Sequence, residues 1–127
     1  MTMTPQQLVA EAKAQIKEVD VHAAAQQMDT GIIVIDVREP AEYEAGHLPN
    51  AVNIPRGLLE FKTGDHLALA NKDAPILLYC KTGGRSALAT HSLLRIGYTQ
   101  ATSMAGGYEA WSTGGQKVVK DTTSFGG

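Results

Sequence analysis

Cysteine is nearly missing from this chain: Cys80 is the only one in 127 residues. A single thiol cannot close an internal disulfide. It also offers no Cys-x-x-Cys redox pair and makes a thiolate zinc cluster implausible. Long hydrophobic runs are missing too, since Ile32–Ile35 and Pro75–Tyr79 are far too short to cross a bilayer. Met1–Pro5 has neither a basic nor an apolar leader pattern, so no secretory signal is expected. An excess of one charge sign is absent as well: 11 Lys and Arg face 13 Asp and Glu, with no block of like charge. This balance gives no reason to expect a nucleic-acid surface or an anionic-membrane partner. His22, His66 and His91 show no ligand spacing with one another or with carboxylates, so no metal site is expected. What is present, 43% hydrophobic residues in a chain of one-domain length, suits a globular fold. The simplest expectation is a soluble protein of a reducing compartment, the cytoplasm.

The patterning predicts strands alternating with helices. Thr4 to Val19 reads as a helix, with Thr4 as cap, Pro5 in the first turn and Leu8, Val9, Ala12, Ile16 and Val19 at helical spacing. A short helix from Asp20 to Met28 follows. Ile32–Val37 is a β-branched run of the kind buried on both faces of a parallel sheet. Pro40–Ala45 reads as a helix stopped by Gly46, Ala51–Ile54 as a strand stopped by Pro55, and Gly57–Lys62 as another short helix. Thr63–Asp73 is loop-rich. Pro75–Tyr79 is a strand that runs into Cys80, and Gly84–Ile96 is a helix with Gly97 as its stop. Ala101–Met104 and Gly107–Thr113 read as a last strand and a last helix. Such alternation implies an α/β domain with a mainly parallel sheet.

The chemistry concentrates in Cys80-Lys81-Thr82-Gly83-Gly84-Arg85-Ser86, between a buried strand and a long helix, where open α/β sheets place their ligands. A loop entering a helix presents unpaired backbone N–H groups, and Gly83 and Gly84 let them turn inward. This nest attracts an anion and favours the thiolate of a cysteine at its centre, and Lys81 and Arg85 act in the same direction. A lone cysteine after a strand is by default an inert buried hydrophobe. Two glycines and two cations within the next five residues argue for a reactive one here.

The segments around this loop resemble a known family. Ile35–Glu39, Glu42-Tyr43, Gly46–Leu48 and Asn50–Pro55 are similar to the upstream signature of rhodanese domains. Cys80–Arg85 is similar to their active loop, and Gly106–Tyr108, Trp111 and Gly114-Gly115 to their C-terminal signature. The resemblance implies a rhodanese-like three-layer α/β domain over residues 20–117, its five-stranded, mainly parallel sheet covered by helices on both faces. Residues 1–19 then form an extra N-terminal helix packed on or near the domain, and 118–127 a loosely held tail. It further implies transfer of sulfane sulfur through a persulfide on Cys80. A small anionic donor such as thiosulfate would supply the sulfur, and cyanide or a cellular or protein thiol would accept it. Lys81, Thr82, Gly83, Gly84, Arg85 and Ser86 would form the anion-binding loop. No metal or organic cofactor is expected, and no nucleic-acid or membrane partner.

Two competing functions fit less well. Cysteine phosphatases, and arsenate reductases of related design, use a Cys-x5-Arg ring. Here Arg85 follows Cys80 by five positions and Ser86 occupies the sixth. A non-catalytic rhodanese-like module that binds a partner or senses sulfur would often lack the loop cysteine, whereas a sulfur-relay role with a protein as acceptor is open with Cys80 present. The resemblance places Asp36 and Arg38 in structural support near the site, with Glu42, four residues on, as the expected partner of Arg38. The turn setting of His47 suggests a hydrogen-bonded structural residue rather than a base. Arg56 and Phe61 are candidates for the substrate mouth. Trp111 is expected to serve as a core or lid residue.

Overall fold

The strands owe their places to apolar residues that serve two faces at once. In the computed structural model, which describes residues 2–120, five strands align in the order β1-β5-β4-β2-β3. They are β1 (Glu18–Val19), β2 (Ile33–Asp36), β3 (Val52–Asn53), β4 (Ile76–Tyr79) and β5 (Ala101–Met104), and every pairing is parallel. The helices are α1 (Pro5–Ala14), α2 (Val21–Met28), α3 (Pro40–Ala45), α4 (Leu59–Lys62), α5 (Gly84–Arg95) and α6 (Gly107–Thr113). A short 3-10 turn at Arg56–Leu58 precedes α4, and two more at Thr63–Asp65 and Leu67–Leu69 fall in the loop-rich stretch.

Side chains alternate across the sheet with the two-residue period of a strand. Ile35, Ile76, Leu78 and Ala101 pack with Leu59, Leu69, Ala89 and Leu93 on the side of α4 and α5. Val34, Leu77, Tyr79 and Met104 pack with Ala24, Tyr43, Leu48 and Trp111 on the side of α2, α3 and α6. Each fully buried Leu or Ile contributes roughly 1.5–3 kcal/mol relative to exposure. Cys80 continues the parity of Ile76 and Leu78, so its side chain falls on the α5 face. Trp111 is buried in the second core and donates its indole N–H to the Lys117 carbonyl at 2.8 Å.

The first helix is shorter than its periodicity predicts. It starts as expected: Thr4 accepts from the Gln7 N–H, and the Gln7 side chain returns to the Thr4 N–H as a capping box. It ends at Ala14, however, and Glu18–Val19 is the edge strand β1 beside β5. The Ser103 N–H donates to Lys17 O at 3.1 Å and the Ala105 N–H to Val19 O at 2.8 Å. Pairing with an otherwise open sheet edge outweighs the weak helical preference of Ile16 and Val19, which are β-branched. The helix itself packs along α5 with Ala12 buried.

Within the 118–127 segment, residues 121–127 lie outside the described residues. Val119 exchanges backbone hydrogen bonds with His47, both at 2.9 Å. No helix among the described residues is long and apolar enough to cross a membrane.

Candidate active site

Cys80 stands at the C-terminal end of β4, at the centre of the sheet, and is 1% exposed. Gly83 closes the loop around it. Its backbone adopts φ 116°, a left-handed value that side chains resist, and its N–H donates to Cys80 Sγ at 3.1 Å. Gly83 also serves as the N-cap of α5, so the sulfur sits against the positive end of that helix. Lys81 and Thr82 are exposed at the loop's outer rim, whereas Ser86 is buried beneath it. The Cys80 thiol approaches Ser86 Oγ at 3.6 Å.

The loop is held from outside by the start of α6. The Tyr108 and Glu109 N–H groups donate to the carbonyls of Cys80 and Lys81 at 2.8 and 3.0 Å. Gly107 makes this approach possible. With φ 59°, a Cβ there would lie 2.5 Å from Cys80 O and 2.6 Å from Lys81 C and O. Glycine is therefore required both for its conformation and for the missing atom.

Beside the loop lies a buried charged network. Arg38 donates through Nη2 to Asp36 Oδ2 at 2.7 Å and through Nε to both carboxylate oxygens at 3.0 and 3.1 Å. Nη2 also reaches Gly46 O at 2.7 Å, and the guanidinium lies 4.3 Å from the centre of the Tyr108 ring. The Tyr79 hydroxyl donates to Asp36 Oδ2 at 2.7 Å and accepts from the Leu48 N–H at 3.1 Å. Burial lowers the Arg38 pKa, but the hydrogen bond and charge of Asp36 outweigh it and hold the net value above the ordinary one. Burial, reinforced by the Asp36 charge, pushes the Tyr79 phenol far above its usual range.

Arg38 therefore does not take Glu42, contrary to the pairing expected from their four-residue spacing. Asp36 is two residues away and fully buried, and a buried carboxylate claims the nearest guanidinium. Glu42 instead grips Arg85 of the loop in a two-pronged pair at 2.9 and 3.1 Å. Its hydrogen bond from Arg85 holds the Glu42 carboxyl down at about 2, and the same bond raises Arg85. His47 is buried, its Nδ1 lies 2.8 Å from Tyr43 O, and its ring stacks on Tyr43 at 3.7 Å.

The two mouth candidates sit apart from this network. Arg56 donates to both Glu60 oxygens at 3.1 and 2.9 Å and to Ser92 Oγ at 3.2 Å. Phe61 on α4 is 80% exposed. Tyr79, Ser103, Gly107 and Tyr108 belong to the site region although the loop motif does not contain them. Of these, Gly107 and Tyr108 left a trace in the sequence as part of the Gly106–Tyr108 segment, whereas Ser103, in the mixed polar and apolar strand β5, left none.

A family model for the rhodanese-like domain matches residues 11–113. The chain is 34% identical over 115 residues to the chloroplastic thiosulfate sulfurtransferase 16 of Arabidopsis thaliana, covering 84% of this chain and 96% of that protein. It is 38% identical over 87 residues to the probable adenylyltransferase/sulfurtransferase MoeZ of Mycobacterium tuberculosis. That match covers 67% of this chain but only 22% of the longer protein's length. Among solved structures, a Rhodopseudomonas palustris protein of unknown function, described as a possible tyrosine phosphatase, superposes with TM-score 0.82 at 27% identity. The superposition covers 94% of this chain and 96% of that one.

Proposed function

Because the chain belongs to the rhodanese-like domain family, we propose that it is a sulfurtransferase that carries sulfane sulfur as a persulfide on Cys80. The observation that carries this reading is the Cys80 sulfur at the centre of a six-residue ring, accepting the Gly83 N–H at 3.1 Å. An amide donor aimed at sulfur stabilises a thiolate, and after loading it stabilises a persulfide anion.

The thiolate attacks the outer sulfur of a small anionic donor such as thiosulfate. A new S–S bond forms as the donor's own S–S bond breaks, and sulfite leaves with the electron pair. A thiophile, either cyanide or a cellular or protein thiol, then attacks the outer sulfur of the persulfide and returns Cys80 to the thiolate. The loop amides and the exposed Lys81 hold the donor. Arg85 contributes less net charge than its type suggests, because Glu42 neutralises it. The scheme requires neither a metal nor an organic cofactor.

Phosphoryl chemistry fits the ring poorly. A phosphoryl group needs donors around a larger perimeter than a ring closing at Arg85 provides. Incubation with thiosulfate is expected to add about 32 Da to the intact protein, the mass of one sulfur, and later addition of cyanide to release thiocyanate. Cys80→Ser abolishes both. Absence of the adduct and of thiocyanate with the native chain would overturn the assignment.

A further inference from the structure

Two buried hydroxyls lie beneath the sulfur. Ser86 Oγ is 3.6 Å from Cys80 Sγ, 3.3 Å from Gly83 O and 2.8 Å from Ser103 Oγ. Both serines are 0% exposed. The sheet register explains why they meet. Ser103 sits beside Leu78, two residues before Cys80, and shares the inward face of Ala101 that packs under α5. Among the described residues, the Ser103 hydroxyl has no side-chain hydrogen-bond partner except Ser86.

That isolation fixes the direction of the bond. If Ser86 donated to Ser103, the Ser103 O–H would be left without an acceptor in a fully buried place, the costly state for a polar group. Ser103 therefore donates and Ser86 accepts. The single Ser86 proton is then left with two acceptors, Gly83 O and Cys80 sulfur. While Cys80 is a thiol, its own S–H points at Ser86 Oγ and the Ser86 proton rests on Gly83 O. Once Cys80 is a thiolate or persulfide anion, the sulfur becomes the stronger acceptor and the proton turns to it.

We propose that Ser103 is a positioning residue for Cys80, directing the Ser86 hydroxyl proton onto the anionic sulfur from β5. The inference rests on Cys80 being the sulfur-carrying nucleophile. The charged groups around the loop are Lys81 within it, Arg85 of α5 with its partner Glu42 of α3, the Asp36–Arg38 pair at the end of β2, and Glu109 of α6. Replacing either serine leaves all of them in place.

With one cysteine in the chain, the ultraviolet absorbance of the thiolate, referenced to Cys80→Ser, reports Cys80 alone. Ser103→Ala and Ser86→Ala are each expected to move its pH titration upward. Losing the hydrogen bond that Ser86 gives the anion is expected to lower the thiolate fraction below the midpoint by about tenfold or more, and losing Ser103 behind it by less. Because Ser103 acts through Ser86, the double variant titrates like Ser86→Ala. An unmoved titration in Ser103→Ala, or shifts that add in the double variant, would overturn the proposal. Should Ser103→Ala not fold, an unmoved titration in Ser86→Ala alone overturns it. Sulfur loading of the native chain, read separately by mass, keeps the two ideas apart. Failure to load sinks the sulfurtransferase reading, whereas loading without a titration shift sinks only the role of Ser103.

Discussion

Gly107 shows how much of the site one missing methyl can determine. Its φ of 59° and the 2.5–2.6 Å approach of Cys80 O and of Lys81 C and O to any added Cβ leave no substitute. Gly107→Ala is expected to lose about 2–4 kcal/mol from backbone strain and overpacking together. Displacing the loop should also slow sulfur loading more than about tenfold, since reacting groups tolerate little misplacement. Denaturant melts and intact mass would measure the two losses. Glu42 lends itself to a test of sign. Its carboxyl is lowered from 4.5 to about 2, so the Arg85 pair contributes fully above pH 4.5 and fades as pH falls toward 2. Glu42→Gln keeps an N3 side-chain oxygen for the Glu39 N–H but removes the charge and one of the two acceptor oxygens that Arg85 uses. Melts across that window are expected to show a deficit of less than about 1 kcal/mol at neutral pH, small because the pair is about one-third exposed, converging with the native chain near pH 2. The proposed nucleophile Cys80 and its loop are legible from local residue types alone. The partner of Arg85 is not, because Glu42 and Arg85 lie far apart in the chain and meet only once β2 and β4 are adjacent.

The two-residue strand β1 has consequences out of proportion to its length. Residues 18–19 look helical because Ile16 and Val19 continue the stripe of Leu8, Val9 and Ala12, and periodicity cannot register an open edge elsewhere in the fold. By contrast, β5 and α6 can be read to the residue, each bounded by glycine or a change of polarity. The distinction is testable by hydrogen exchange. Removing residues 1–14 should leave the Ser103 and Ala105 amides protected. Removing residues 1–19 takes away their acceptors, Lys17 O and Val19 O. Their exchange should then accelerate by at least about tenfold. Equal protection in both truncations would mean that β1 does not cover the edge. Since Ser103 lies on that edge-facing strand, the second truncation also bears on the support beneath Cys80.

At the scale of the molecule, five parallel strands bring their C-terminal ends to one rim, and the site is assembled there from pieces distant in sequence. Asp36 ends β2 and Arg38 lies just beyond it, Cys80 follows β4, and Gly106–Tyr108 follows β5. This convergence is a property of parallel topology, which alternating strands and helices foretell. The buried network of Asp36, Arg38 and Tyr79 was harder to foresee. Which acidic residue a guanidinium meets depends on burial, and the pattern of charges along the chain does not encode burial.

The anchoring of Cys80 and Lys81 by the first turn of α6 bears on how such a ring could be remodelled. Two of its carbonyls are bolted to a helix outside the loop, while its far side is continuous with α5. An inserted residue, as a seven-membered phosphate-sized ring would require, has slack only between Lys81 and Gly84. There it would carry the Gly83 amide away from the sulfur. Ring size in this chain is therefore a joint property of two helices, and a graft of the loop alone would not transfer it.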